Sequence, residues 1–304
     1  IIPMCYPADC LEGTFIPNWT LWYIMEIAKY ARLYGKNETV LGALDNVRGI
    51  LGYFKSCENE LELLEDLKSW VFVEWSIANH WKRTMGVNVA TNITYAKCLI
   101  EASWLLDDDN LKNKAIRIQN KIKEIAFDGK LFVDNLIRND KGELVKTDHY
   151  TEVCQYYAFW FECITKEEYP ELYKELMDNL GTNRKPGYLP HVGEPNVMYG
   201  IYMRIDLLMR EGKREEVYKE CLALFGKMAE LTGTLWEHNS TGASCVHGFA
   251  AYASRWLIYA LTGYDTITGK QDGDTGIGID CEMKIPLDKE NYLNLTIRNN
   301  KLIK

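Results

Sequence analysis

The sequence predicts a mainly α-helical protein built from pairs of helices, with the beginning of a β domain at its C-terminal end. Nine segments carry apolar residues at spacings of three and four, the pattern of one helix face. These segments occur in pairs with short connections at intervals of about 50 residues, which indicates a stack or ring of helical hairpins. After Gly263 the apolar residues alternate at every second position, which is typical of strands.

Capping and turn residues set the ends of the predicted helices. Asn18 is expected to cap a helix that ends before Gly35, and Asn37 starts a second helix that runs to about Lys55. Further helices with the same apolar spacing are predicted at about 88–106, 109–126, 149–164, 167–180, 196–211, 213–229 and 247–262.

Short extended segments are predicted between the helices and after them. Residues 71–75 (VFVEW) are expected to be extended. Residues 127–133 and 144–145 flank a turn with the sequence NDKG, which predicts a small β-hairpin. Residues 280–285 and 292–298 are predicted to be the first strands of the β domain.

We expect residues 1–264 to form the helical domain, and residues 265–304 to form a linker and the first strands of a C-terminal β domain. The chain starts with Ile1 rather than Met, and it shows no signal-peptide pattern. The strand pattern at the end does not complete a domain. We therefore expect a fragment of a longer protein whose helical domain begins before Ile1.

The charge and hydropathy pattern disfavour two classes of partner. The net charge is −8, whereas nucleic-acid binding requires a basic face. An anionic membrane surface is disfavoured for the same reason. No run of 18 apolar residues is present, so no membrane-spanning helix is expected. Homodimer formation is left open.

Cysteine and histidine spacing disfavours a metal site. The nine cysteines lie mostly within apolar helical stretches, which indicates free thiols in a reducing compartment, with a Cys5–Cys10 disulfide as the alternative. This favours a cytoplasmic location, while a periplasmic or secreted one stays open. No histidine pair has the spacing of zinc enzymes, and phosphate-loop and dinucleotide-binding motifs are absent. We expect neither a metal nor a cofactor.

Residues 233–247 place a carboxylate, two imidazoles and an indole in one loop between two helices. Glu237 lies between Trp236 and His238, and His247 begins the next helix. Functional loops are commonly held between rigid elements in this way. A simple connecting turn explains the same local composition.

Paired carboxylates with aromatic walls are typical of glycosidic bond cleavage, because one carboxyl protonates the leaving oxygen and the other activates water or acts as nucleophile. Glu237 is the best-placed candidate. Other carboxylates in the connections are interpreted first as capping or solvated groups: Glu74, Asp148, Glu152 and Glu194. Histidines beside loops are candidates for lining a site: His149, His191 and His247. Tryptophans in polar connections suit the apolar faces of sugar rings: Trp19, Trp22, Trp75 and Trp236.

Several short motifs resemble those of the α-L-rhamnosidases of glycoside hydrolase family 78, which are six-hairpin glycosidases. The matching stretches are IPNWTLW at 16–22, FVEW at 72–75, GVNVATN at 86–92, GTLWE at 233–237 and SCVHG at 244–248. The resemblance extends over residues 16–262.

The resemblance implies an (α/α)6 barrel, incomplete here with about nine of its helices, followed by the start of a β-sandwich. It implies an inverting hydrolase that removes terminal α-L-rhamnose from a carbohydrate substrate. Glu237 would be the general base, His247 would contact rhamnose, and the four tryptophans would form walls of the subsite. Glu74, His149 and His191 complete the predicted substrate-binding set. The general acid is expected upstream of Ile1.

Two alternatives remain open. A non-catalytic sugar-binding protein on the same scaffold would lack the second carboxylate. A sugar epimerase would use a facing pair among His149, His191 and His247.

Overall fold

The structure is a computed structural model that describes residues 15–268, 281–286, 292–298 and 301–303. The predicted Cys5–Cys10 pair and most of the predicted linker lie outside the described residues. The chain divides into two compact units, Ile1–Pro195 and Asn196–Lys304.

Over its described residues, 15–195, the first unit contains six of the predicted helices and one additional short α-helix. Its helices are α1 (Pro17–Tyr34), α2 (Glu38–Lys55), α3 (Trp81–Thr84), α4 (Val89–Leu106), α5 (Asp109–Ala126), α6 (Glu152–Trp160) and α7 (Pro170–Asn179). The cap predicted at Asn37 is confirmed, because its side chain accepts a hydrogen bond from the Val40 N–H.

The cap predicted at Asn18 is wrong. Helix α1 begins one residue earlier, at Pro17, whose missing N–H suits the first turn of a helix. The buried Asn18 side chain lies inside that turn, where it accepts from the Phe72 N–H at 3.0 Å and donates to the Thr91 hydroxyl oxygen at 2.9 Å. Asn18 therefore joins distant segments instead of capping its own helix.

Helix α4 is the centre of the first unit. It packs against α1, α2, α5 and α6, and nearly all of its side chains are buried. A helix that is buried on all sides is typical of a core position. Helix α5 buries only one face, formed by Ala115, Ile118, Ile122 and Ala126, as its apolar spacing predicts.

The described part of the first unit also contains two small sheets. Strands β1 (Val87–Asn88), β2 (Asn135–Arg138) and β3 (Leu144–Lys146) pair antiparallel in that order, which confirms the predicted hairpin. The first strand of this hairpin is β2, which begins after residues 127–133, the segment predicted to form it. Strands β4 (Tyr150–Thr151) and β5 (Val192–Gly193) pair in parallel.

Residues 71–75 do not form a strand, although they are largely buried. Side chains satisfy their backbone: Asn18 accepts from Phe72 N–H, and Asn79 accepts from Val73 N–H at 2.9 Å. Similar amide bridges occur elsewhere in the unit. Asn92 both accepts from and donates to the Leu64 backbone, at 2.7 and 3.0 Å.

The second unit contains α8 (Tyr202–Arg210), α9 (Arg214–Cys221), α10 (Lys227–Thr232) and α11 (Ala253–Thr262). A wider helical turn at Leu222–Gly226 joins α9 to α10, and α11 packs against α8 and α9. The helix predicted from residue 196 becomes regular only at Tyr202, because Met198 and Tyr199 have non-helical backbone angles.

The predicted C-terminal strands at 280–285 and 292–298 are confirmed as β6 (Cys281–Pro286) and β7 (Tyr292–Arg298), which pair antiparallel. A third strand, β8 (Lys301–Ile303), pairs with β7. Within the described ranges, none of the helices combines the length and the apolar character needed to cross a membrane.

Gly86 is the position where the fold tolerates a side chain least. Its φ is +65°, and an added Cβ would lie 2.2 Å from the Leu136 carbonyl oxygen. We expect Gly86→Ala to lower the free energy of unfolding by about 1–3 kcal/mol beyond the cost of the left-handed backbone itself. Gly142→Ala is the matched control, because Gly142 has a φ of +78° with open space around it. Urea unfolding measures both, and equal losses would contradict the steric argument.

Arg138 links the 58–66 loop to the hairpin in a pH-dependent way. Its guanidinium donates to Glu65 at 2.7 and 2.8 Å and to Glu60 at 2.8 Å. The hydrogen bond from Arg138 holds the pKa of Glu65 below its ordinary value of 4.5. This contribution to stability is present above that ordinary pKa and is lost as the pH falls through the lowered one.

We therefore expect Arg138→Gln to be less stable than the parent at pH 7 and to approach it in stability as the pH falls below 4.5, the ordinary pKa of Glu65, and through its lowered pKa. Chemical denaturation at a series of pH values measures the difference. Arg48→Gln is the control, because Arg48 pairs with the exposed Asp45 within one helix and its loss should matter little at any pH. A difference for Arg138→Gln that stays constant with pH would contradict the linkage.

Candidate functional site around Glu237

The loop that carries Glu237 is closed by two backbone hydrogen bonds. Gly233 ends α10 with a φ of +69°, and its N–H donates to the Ala229 carbonyl at 2.9 Å. Beyond it, Glu237 N–H donates to Ser244 O at 2.9 Å, and His247 N–H donates to Leu235 O at 3.0 Å. The backbone of Glu237 is therefore tied to the backbone that leads into His247.

The Trp236 side chain is buried and supports this loop. It is 1% exposed, and its indole N–H donates to the Thr232 hydroxyl oxygen at 2.8 Å. A ring in this position anchors the loop to α10. It offers no open face for stacking against a sugar, so the predicted role of Trp236 as a wall is replaced by a supporting one.

Glu237 and His247 come together as a pair. The distance between Glu237 Oε1 and His247 Nε2 is 3.7 Å, and each side chain is 22% exposed. The other ring nitrogen of His247, Nδ1, is buried and has no hydrogen-bond partner among the described residues. The carboxylate and the imidazole therefore lie next to each other, and both are partly accessible to solvent.

The structure distinguishes between the two histidines of the loop. His238 lies beside Ser240, with Nδ1 3.2 Å from the hydroxyl oxygen, whereas His247 is the histidine paired with Glu237. Asn196 fixes the tip of the loop, because its side-chain oxygen accepts from the Asn239 N–H at 2.9 Å.

Exposed apolar side chains border the pair. Val246 is 75% exposed and Phe249 is 56% exposed, and the Phe249 ring lies 5.0 Å from the His247 ring. The Tyr202 hydroxyl donates to the Phe249 carbonyl at 2.9 Å and holds this backbone in place.

The predicted tryptophans of the first unit lie in two aromatic clusters. Trp19 and Trp75 both contact Phe72, at ring distances of 6.0 and 4.9 Å. Trp22 instead packs against Trp160 and Phe161, at 5.9 and 5.6 Å. All three of these tryptophans are half-buried.

The other predicted carboxylates differ in exposure. Glu74 is completely buried. The side chains of Asp148 and Glu194 are 99% and 75% exposed, as expected for solvated groups.

Glu152 is a structural residue. It is completely buried and pairs with Arg184 at 2.8 Å, while its second oxygen accepts from Tyr156 O–H at 2.9 Å and Gly181 N–H at 2.8 Å. Arg184 also donates to the carbonyls of Leu189 and Val192, each at 2.8 Å. The ion pair therefore anchors the 181–193 connection to α6.

His149 and His191 both lie beside Tyr150. His149 follows the hairpin and its Nδ1 is 3.0 Å from the Asn135 side-chain oxygen. His191 is exposed and meets the Tyr150 ring edge-on at 5.8 Å. The two histidines thus have separate partners.

Sequence reasoning missed a buried polar cluster beside His149. Asp134 is 3% exposed, accepts from the Thr151 hydroxyl at 2.6 Å and pairs with Arg83. Burial raises the pKa of Asp134 despite these partners. The sequence signal was the adjacent polar pair Asp134 and Asn135 after an apolar run.

The described residues contain no group of three or more His, Cys, Asp or Glu side chains placed to hold a metal ion. Six of the cysteines in the described residues are free thiols, and four of these, Cys98, Cys154, Cys163 and Cys221, are buried.

No protein-family model matches the sequence, and no curated protein does. Solved structures are similar to it in fold. A GH78 family rhamnosidase of Bacillus sp. GL1 is 17% identical, with a TM-score of 0.66 over 81% of this chain and 26% of that chain. A rhamnosidase from Klebsiella oxytoca, with rhamnose bound, is 15% identical, with a TM-score of 0.59 over 81% of this chain and 47% of that chain.

The predicted mainly α fold is therefore confirmed as the fold of the helical part of rhamnosidases. The chain spans 26% of one of these proteins and 47% of the other.

Removing Arg184 tests the structural role assigned to Glu152. We expect Arg184→Met to lower the free energy of unfolding by about 3–5 kcal/mol, because it leaves a buried carboxylate without its cation. The double variant with Glu152→Gln should lose less, since no unpaired charge remains. Urea unfolding of the parent and the two variants measures this, and a double variant less stable than Arg184→Met would contradict the assignment.

Proposed function

We propose that this chain belongs to the catalytic part of a glycoside hydrolase that releases terminal α-L-rhamnose from glycosides or polysaccharides. The observation that carries the proposal is the Glu237–His247 pair, located on a closed loop in a fold shared with rhamnosidases. A half-buried carboxylate beside an imidazole is a common arrangement for proton transfer at a reacting centre.

In the proposed reaction Glu237 acts as general base on the face of the sugar opposite the leaving group. It takes a proton from a water molecule, whose oxygen attacks the anomeric carbon and inverts its configuration. A second carboxyl group protonates the glycosidic oxygen as the bond breaks. In inverting enzymes the two carboxyl groups are about 6.5–9.5 Å apart, which leaves room for that water.

His247 contributes orientation in this proposal. Its Nε2 lies 3.7 Å from the Glu237 carboxylate oxygen Oε1, close enough to help hold that carboxylate in place. The same ring edge can contact a sugar hydroxyl. The exposed Val246 and Phe249 beside it suit an apolar portion of the substrate.

Within the first unit, further side chains are proposed for carbohydrate binding. Trp19, Trp22 and Trp75 are partly exposed residues, and indole rings suit the C–H faces of a pyranose. His149 and His191 offer imidazole groups for sugar hydroxyls. Trp236 acts indirectly, by holding the loop that carries Glu237.

Replacement of Glu237 by Gln tests the role of general base. We expect the full-length protein to lose about 10²–10⁴-fold in kcat on an aryl α-L-rhamnoside, with a small change in KM, because the amide cannot accept the proton. Glu230→Gln is the matched control, since Glu230 is exposed on α10 and should leave turnover unchanged. Unchanged turnover in Glu237→Gln would remove this residue from the mechanism.

The stereochemistry of the parent reaction provides a second readout. Proton NMR of the first-formed rhamnose should show the anomer opposite to that of the substrate, and retention would contradict the inverting mechanism. Binding of rhamnose without any hydrolysis by the full-length protein would favour the non-catalytic sugar-binding alternative.

A further inference from the structure

The side-chain amide of Asn135 has a fixed orientation. Asn135 is completely buried, and its NH2 group donates to the carbonyls of Lys82 at 2.9 Å and Met85 at 3.0 Å. Two carbonyl oxygens can be satisfied only by a donor. The amide oxygen of Asn135 must therefore point the other way, toward Thr147 and His149.

That orientation determines which nitrogen of His149 carries the proton. The Asn135 oxygen lies 2.9 Å from the Thr147 hydroxyl and 3.0 Å from His149 Nδ1. An amide oxygen can only accept, so Nδ1 must be the donor. In the neutral imidazole Nε2 is then left with its lone pair. An unconstrained histidine prefers the opposite tautomer, with the proton on Nε2.

The lone pair on Nε2 is available to a ligand. The His149 side chain is 24% exposed, and Nε2 lies 3.8 Å from an oxygen of the exposed Asp148, which as a carboxylate cannot donate. The buried Asp134 is already engaged by Thr151 and Arg83. The ring is held further by the backbone, because Asp134 N–H donates to the His149 carbonyl at 2.8 Å.

We propose that Asn135 is a positioning residue that holds His149 in the Nδ1–H tautomer, so that Nε2 accepts a hydrogen bond from a hydroxyl group of a bound sugar. The inference rests on the proposed function for the identity of the ligand. An imidazole acceptor with a fixed direction selects a hydroxyl donor, and it disfavours a ligand that offers only acceptors at that point.

Nitrogen NMR of the full chain labelled with ¹⁵N-histidine tests the tautomer directly. The sequence has five histidines, so the signals can be assigned by their loss in single replacements, with His149→Phe identifying this one. At about pH 8.5, above the ordinary imidazole pKa of about 6.5, we expect Nδ1 of His149 to carry the proton. A proton on Nε2 would overturn the proposal.

Titration with L-rhamnose tests the acceptor role. We expect the chemical shift of His149 Nε2 to change on binding, because this nitrogen then accepts a hydrogen bond. The chemical shift of Nδ1 should change little. His149→Phe, which keeps a ring but removes the acceptor, should raise the dissociation constant of rhamnose by about 3–10-fold. Saturation with rhamnose that leaves Nε2 unchanged would overturn the proposal.

Replacement of Asn135 tests its positioning role. Asn135→Leu removes the acceptor at Nδ1, and we expect the tautomer of His149 to change to Nε2–H with a weakening of rhamnose binding comparable to that in His149→Phe. Unchanged binding and tautomer in a folded Asn135→Leu would contradict the positioning role. If this buried replacement prevents folding, the measurements on the parent protein still decide between the tautomers.

These outcomes separate the inference from the proposed function. If hydrolysis of a rhamnoside depends on Glu237 while the Nε2 signal of His149 does not change with rhamnose, the role of His149 is rejected and the proposed function stays in place. A rhamnose-dependent shift at Nε2 in a full-length protein without hydrolytic activity would reject the catalytic proposal and retain the binding site.

Discussion

Buried backbone groups in the connections between helices must find hydrogen-bond partners, and side-chain amides supply them in this protein. An irregular segment has no ladder of its own, and an unpaired buried N–H or C=O costs about 1–3 kcal/mol. Four asparagine side chains form hydrogen bonds with backbone groups that the helices and strands leave unpaired: Asn18, Asn79, Asn92 and Asn135. An amide suits this task because it can donate and accept at the same time.

The same constraint determines where polar chemistry can be placed. Residues 71–75 lie buried without a strand partner because Asn18 and Asn79 satisfy their backbone, and this arrangement holds Trp75 against Phe72. In the second unit Asn196 holds the loop that carries Glu237. The candidate site residues Trp75 and Glu237 are thus carried by irregular segments whose shape is fixed by amides instead of by sheets. This gives precise geometry without regular secondary structure.

Local patterns were sufficient to predict much of the fold. Apolar spacing located the helices, and the alternation after Gly263 located β6 and β7, because both depend on near neighbours in the sequence. The association of Glu237 with His247 was also accessible, since only nine residues separate them in one loop. The role of Asn18 could not be predicted from the sequence, because its partner Phe72 lies 54 positions away. Asp134 and Arg83, 51 positions apart, escaped prediction for the same reason.

The closure of the Glu237 loop has a consequence for how such a protein can diversify. The bonds from Glu237 N–H to Ser244 O and from His247 N–H to Leu235 O fix both stems of the loop. Beyond Asn239, whose N–H is held by the Asn196 side chain, residues 240–243 are exposed and can change in number at little entropic cost. Insertions or deletions there can reshape the surface around the Glu237–His247 pair while the pair itself keeps its geometry. The loop tip is therefore a natural place for evolution or engineering to alter which ligands are admitted.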